Sequence, residues 1–170
     1  MNLGNDAHVD GIFPLSAGDI PLCAEVIRQS FATVARDLGL TRVNCPRHPA
    51  FITDGEMLEK HNADYSPFGL FQGGKMVGFV SLTHMGGGVY AMNKLSVLPG
   101  FRHHGHGKAL LDFCKEKVLE WGGLKIEIDL VEENTVLKNW YAANGFKHTA
   151  AKRFPWFPFT VGYMEWENLN

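Results

Sequence analysis

The sequence has no surplus of charge of either sign: 16 Lys and Arg against 18 Asp and Glu leave a formal net charge of −2 over 170 residues. That excludes a broad basic face for nucleic acid or an anionic membrane, although a local cationic site remains open. Cysteine is scarce. Cys23, Cys45 and Cys114 are widely spaced and form no Cys-x-x-Cys pair, so a disulfide scaffold is excluded and a reducing compartment is expected. No apolar run approaches the roughly 18 residues that a membrane span requires. The opening MNLGNDAHVD has neither the basic start nor the apolar centre of a signal peptide. The expectation is a cytoplasmic protein with no nucleic-acid and no membrane partner. Repeats, linkers and low-complexity segments are absent too. With 45 % hydrophobic residues, the length suits one sizeable core, hence one domain over residues 1–170 with residues 1–10 as a flexible tail.

What is present centres on VLPGFRHHGHGKALLDFCKEKV, residues 97–118. An apolar strand end and a Pro-Gly turn lead into a loop holding Gly105 and Gly107. Leu110, Phe113, Cys114, Val118 and Trp121 then recur at three- and four-residue spacing, which predicts a helix with one apolar stripe. The first turn of a helix has backbone N–H groups without intrahelical partners, and the aligned peptide dipoles add partial positive charge there. Phosphate is the anion such a loop suits. Glycine allows close approach and positive φ, and Arg102, Lys108 and the neighbouring imidazoles add charge. A tight strand-to-helix turn with no ligand uses the same glycines.

RHHGHG, residues 102–107, also resembles the Arg/Gln-x-x-Gly-x-Gly/Ala pyrophosphate loop of the GNAT acyltransferases, with LSVLPGF before it and KALL after it. Further likenesses follow in order: KIEIDL resembles that family's fifth strand, Asn134 follows in VEEN, and WYAANGF resembles its Tyr-x-x-x-Gly-Phe motif. Together these span residues 89–146.

Along the rest of the chain, residues 11–15 read as a first strand. Ser16 and Asp19 are candidate N-caps of a helix carrying Cys23, Val26, Ile27, Phe31, Val34 and Leu38 at helical spacing, ended by Gly39. Residues 41–53 contain two prolines and read as a loop, with a short helix over 54–62. Gly73-Gly74 marks a hairpin between 68–72 and 75–83, and Gly86-Gly87-Gly88 a turn into a strand over 89–97. A strand over 125–131, a helix over 135–144 and two closing strands, the last alternating around Val161, complete the pattern. This order gives an α+β fold, and the resemblance implies the GNAT form: a mixed, mostly antiparallel sheet of about seven strands flanked by about four helices.

The resemblance also implies chemistry: an N-acetyltransferase moving the acetyl group of acetyl-CoA directly to an amine. Pyrophosphate would lie on the backbone amides of His103, His104, Gly105, His106, Gly107 and Lys108, with Arg102, Asn134 and Tyr141 as further cofactor-binding residues. The pantetheine arm would pair with main-chain groups of Leu95, Ser96 and Val97, and an N–H near Leu95 or Ser96 would hold the oxyanion. Tyr141 corresponds to the family's proton donor to the thiolate; a helix aromatic packed beside Trp140 is the plain alternative. A carboxylate on the fourth strand, seen in several relatives, is missing, because that strand offers only Asn93, Lys94 and Ser96 as polar groups. Glu127, Asp129, His84 or water remain as the base. His103, His104 and His106 lack a companion ligand set, so no metal is expected. No cysteine falls in this candidate site, which argues against a covalent acyl-enzyme.

By the same resemblance, the region between the first two helices helps form the acceptor site, where Arg47, His48 and Phe51 are candidates against a plain solvent loop. RFPWFPF, residues 153–159, either walls an acceptor pocket or packs on the core. The acceptor is a small-molecule or peptide amine, and a homodimer is conceivable. Two other readings stay open: an acyl-CoA-binding regulatory module without turnover, and a nucleotide or phosphate binder using the same loop.

Overall fold

The computed structural model describes residues 10–170. The expected N-terminal tail, residues 1–10, lies outside the described residues apart from Asp10. Strand β1 (Gly11–Pro14) leads through a 3-10 turn into helix α1 (Ile20–Asp37), and a short helix α2 (Asp54–Glu59) follows. A meander of β2 (Tyr65–Gln72), β3 (Lys75–Gly86) and β4 (Val89–Val97) comes next. Helix α3 (His106–Glu120), β5 (Lys125–Val131), α4 (Thr135–Ala143), β6 (Lys147–Arg153) and β7 (Thr160–Glu167) close the chain. The spatial order is β1-β2-β3-β4-β5-β7-β6. Among the described residues only β4 and β5 pair in parallel; every other neighbouring pair is antiparallel. The expected mixed, mostly antiparallel sheet of seven strands with four helices is the one observed.

The local signals act where the spacing places them. At α2, Thr53 Oγ1 accepts from the Glu56 N–H while the Glu56 carboxylate accepts from the Thr53 N–H, a reciprocal cap. At the start of α1 the Asp19 carboxylate accepts from Ser16 N–H at 2.8 Å, so Ser16 caps the preceding 3-10 turn and the helix proper begins one turn later. The two faces of the sheet carry two cores. Met76 and Phe79 of β3 pack with Ile20, Cys23 and Ile27 of α1 and with Met57 of α2. Val77, Val80 and Leu82 of β3 pack with α3 and with Tyr141 of α4. Within the predicted α3 stripe Leu110, Cys114 and Val118 are fully buried, and each buried aliphatic side chain contributes about 1.5–3 kcal/mol. Phe113 is only partly buried, and Trp121 lies half-exposed at the rim, its ring 5.5 Å from that of Tyr90.

Candidate active site

β4 and β5 pair only over Val89/Lys125, Tyr90/Ile126 and Ala91/Glu127, and beyond Ala91 they separate. The irregularity lies in β4. Against β3, Phe79 faces Ser96 while Ser81 faces Asn93, so a two-residue step on β3 takes three residues on β4. Such a bulge bends its strand and raises the local twist. Lys94 sits within it with φ of 54°, a left-handed conformation that favours glycine or asparagine. The separation leaves a cavity of about 700 Å³ lined by both strands.

At one end of that cavity lies the glycine loop. Gly105, at φ 82°, is the residue before α3, and His103 is also left-handed at φ 64°. None of the amides of residues 103–108 has a hydrogen-bond partner among the described residues. A run of unpaired donors at a helix start, with positive dipole behind it, is an anion cradle. Arg102 plays a different part from the one its charge suggests. Its guanidinium donates to Ser30 O at 2.7 Å, to Thr33 Oγ1 at 3.1 Å and to Val97 O at 3.2 Å, which ties the loop to α1 and β4. Val97 N–H in turn donates to Ser30 Oγ at 3.2 Å, so both main-chain groups of Val97 are engaged inside the protein.

On the facing wall stands Tyr141, 6 % exposed, its ring 5.0 Å from Trp140 and 5.3 Å from Phe146. Its hydroxyl has no hydrogen-bond partner among the described residues. Burial, with lesser electrostatic contributions from Cys114 and Asp129, pushes the phenol well above its ordinary value of 10, so it stays a donor throughout the working pH range. Asn134 lines the same cavity but spends its side-chain oxygen on the Leu137 N–H as the cap of α4.

Comparison with known proteins follows that geometry closely. The model of the acetyltransferase (GNAT) family matches residues 33–146, more than half of the chain. The protein belongs to the GNAT family. An uncharacterized N-acetyltransferase of Mycobacterium tuberculosis is 24 % identical over 115 residues, 64 % of this chain and 74 % of that one. One from Bacillus velezensis is 40 % identical over 65 residues, 32 % of this chain and 41 % of that one. Among solved structures, the ribosomal-protein-S18-alanine N-acetyltransferase of Escherichia coli superposes with a TM-score of 0.76 at 17 % identity, over 93 % of each chain. The PaiA N-acetyltransferase of Thermoplasma acidophilum, solved with coenzyme A, gives 0.71 at 21 % identity, over 93 % of this chain and 98 % of that one. Likeness at that level shows the fold.

In this GNAT chain Leu95, Val97, Arg102, His103, Gly105, His106, Gly107, Lys108, Asn134 and Tyr141 all line the one cavity. Ser96 and His104 do not: Ser96 is buried with its hydroxyl on Lys94 O at 2.7 Å. Of the groups weighed as base, Asp129 alone lines the cavity. Glu127 is exposed on β5 across from Glu165, and His84 is exposed with its ring 4.9 Å from that of Tyr90. Among the described residues no three His, Cys, Asp or Glu converge as a metal site, and no helix is long and apolar enough to cross a membrane.

Arg47, His48, Phe157 and Phe159 line the cavity as well, so both segments weighed as acceptor walls reach it, whereas Phe51 packs with Ala35 and Cys45. His48 is 6 % exposed and burial pulls it down to about 4; its Nδ1 accepts from the Ala50 N–H, leaving the ring hydrogen on Nε2. Cys45 also lines the cavity, which corrects the expectation that no cysteine reaches it. Its thiol is raised by burial and is therefore a poor nucleophile. Sequence reasoning missed Ser30 and Thr33 as the anchors of Arg102, because their pairing bridges some 70 residues of chain. It also missed Lys94 as a wall residue, although the one charged side chain of that strand was the available signal.

Proposed function

We propose that the protein is an N-acetyltransferase that moves the acetyl group of acetyl-CoA directly to the amine of a small molecule or peptide. One observation carries the reading: the unpaired amides of the glycine loop and the unpartnered Tyr141 hydroxyl open on a single cavity between the separated strands. The amides of residues 103–108 suit a pyrophosphate. The free main-chain edge at Leu95 suits an extended arm carrying its own amides.

The chemistry then divides among this chain's groups. The neutral amine nitrogen attacks the thioester carbonyl carbon, the C–N bond forms and the C–S bond breaks. In this reading Asp129, which lines the cavity, takes the proton that the amine sheds, directly or through water. Tyr141 donates its hydrogen bond to the departing sulfur; with its pKa raised, it stabilises the thiolate more than it hands over a proton. Because the Cys45 thiol is held protonated by burial, direct attack fits better than an acyl-enzyme.

The test is calorimetric binding of acetyl-CoA, with ATP as a comparison, followed by thiol release over a panel of amines for the native protein and Tyr141→Phe. Selective micromolar binding is expected, with release of CoA that depends on the amine. Tyr141→Phe should keep its affinity and lose turnover by about a hundredfold, within the range of proton-transfer catalysis. Binding without release from any amine would favour a regulatory acyl-CoA module instead. ATP binding as tightly as acetyl-CoA would overturn the reading.

A further inference from the structure

Lys94 is the residue that the preceding chemistry leaves unused. It lies within the β4 bulge, its backbone is left-handed, and its side chain belongs to the cavity wall. A left-handed position in a strand favours glycine or asparagine, yet here it bears a long cation. The Lys60 ammonium, from the end of α2, stands within interaction distance of it. Neither lysine forms an ion pair among the described residues, and the same holds for Arg47 on the cavity's outer wall. Two adjacent ammonium groups without a bridging anion repel each other, and a partly buried one has also lost much of its hydration.

The other charged groups around Lys94 are Glu56, also on α2, and Asp129 on β5; both act on it from a distance. Among the charged residues that line the cavity, Arg102 is committed to main-chain carbonyls and Lys108 to Asp112, so Lys94 and Arg47 face the single Asp129 carboxylate, which leaves one positive charge uncompensated. A single carboxylate matches that charge better than a phosphate dianion. Phe157 and Phe159 add apolar wall to the same cavity.

Resting on the acetyl-transfer reading above, we infer that the acceptor is an amine that also carries a carboxylate, as an amino acid or the free C-terminus of a short peptide does, and that Lys94 on the cavity wall holds that carboxylate, with Lys60 behind it adding positive potential. Lys94 is then a specificity-determining residue. Burial, with Lys60 as a second cause, pulls its pKa down to about 8, so it is charged at neutral pH and neutral above that value. The discrimination should therefore fade as pH rises through about 8, while the substrate carboxylate stays ionised.

The experiment uses the full chain with acetyl-CoA and matched acceptor pairs: amino acids, dipeptides and ω-amino acids, each beside its carboxamide. The native protein should favour the acid over the amide in at least one pair by about tenfold in kcat/KM, as one charge-assisted contact warrants. In Lys94→Met the two members should come within about twofold of each other, and Lys94→Arg should keep part of the preference. Lys60→Met, at an exposed helix end, should reduce it without disturbing the strand. Three results would overturn the inference: amides served as well as acids in every pair, a preference that survives Lys94→Met, or a fall in turnover that leaves the acid-to-amide ratio intact, which would make Lys94 a proton acceptor. If no acceptor releases CoA, the same pairs are compared for binding to the CoA-loaded protein, where equal affinity overturns it. Failure of acetyl-CoA itself to bind strikes the proposed function instead.

Discussion

Replacing Gly107 with alanine separates two reasons for which glycine can stand at the start of a helix. Gly105 and Gly107 flank the first residue of α3, but their surroundings differ. Gly105 has φ of 82° and nothing within 4 Å of where a Cβ would stand, so its requirement is conformational. Gly107 has an ordinary helical backbone, and a Cβ there would meet only the Trp140 ring edge at 3.7 and 3.9 Å, which is normal contact. Nothing in the fold therefore demands glycine at 107, and alanine should stabilise the helix by up to about 0.5–1 kcal/mol. What alanine obstructs is the approach of an anion to the unpaired amides of the loop. Withholding one charge-assisted hydrogen bond costs about 1.5–3 kcal/mol, so CoA should bind roughly ten- to hundredfold more weakly. Gly105→Ala should behave in the opposite sense, losing about 1–2 kcal/mol of stability to backbone strain. Urea denaturation without ligand and calorimetric titration with CoA measure the two quantities independently. A Gly107→Ala protein of native or higher stability that still binds CoA with native affinity would refute the assignment of this loop to the pyrophosphate.

Arg102→Ala should lower stability by about 2–3 kcal/mol in the absence of ligand, because it strips the carbonyls of Ser30 and Val97 of a charged donor. Arg102→Lys should fail to restore it, since one ammonium cannot span both; full rescue by lysine would show that the charge alone matters. His48 gives the pH dependence. Its folded pKa of about 4 lies below the ordinary 6.5, so the unfolded chain takes up a proton first as the medium becomes acid. Stability from this group is complete above 6.5 and is lost as pH falls towards 4, by up to about 3 kcal/mol. His48→Asn, which can still accept from the Ala50 N–H, should flatten that limb of a denaturation series; an unchanged acid limb would mean that carboxylates alone produce it.

Short-range patterns were legible because their cause is short-range. The apolar spacing of α3, the Gly73-Gly74 hairpin and the Thr135 helix each depend on residues within a few positions, and each lies where the spacing puts it. β6 was expected only as one of two closing strands and could not be located, for a physical reason. All seven of its residues are exposed, so no alternation marks it, and its Lys and Arg protect an open edge rather than signal a strand. The strand over 68–72 begins three residues earlier, at Tyr65, because Pro67 there interrupts the pattern without interrupting the pairing. The glycine loop and Tyr141 were visible as motifs. The roles of Arg102 and Lys94 were not, because one is decided by partners on α1 and the other by a register slip between β3 and β4 that composition does not record.

That register slip is what makes the site. β4 is paired with β3 along its outer edge, and β5 with β7 along its own, so where the two strands separate each keeps one edge of backbone donors and acceptors without a neighbour. An unpaired edge inside a sheet is ordinarily a liability, and a protein that keeps one needs something to occupy it. Here the opening is bounded chemically at one end: Ser30 and Arg102 close the edge at Val97, just where the glycine loop begins. A ligand with an extended, amide-bearing middle and an anionic end matches both features in sequence along the gap, the strand edge and then the loop. Recognition of that kind falls on main-chain atoms and so asks little of side-chain identity, and chains of only 17–21 % identity do share this fold. Side-chain identity is then free to matter elsewhere on the cavity wall, where Lys94, His48, Phe157 and Phe159 differ from a generic cofactor groove, and it is there that choice of acceptor has to be written.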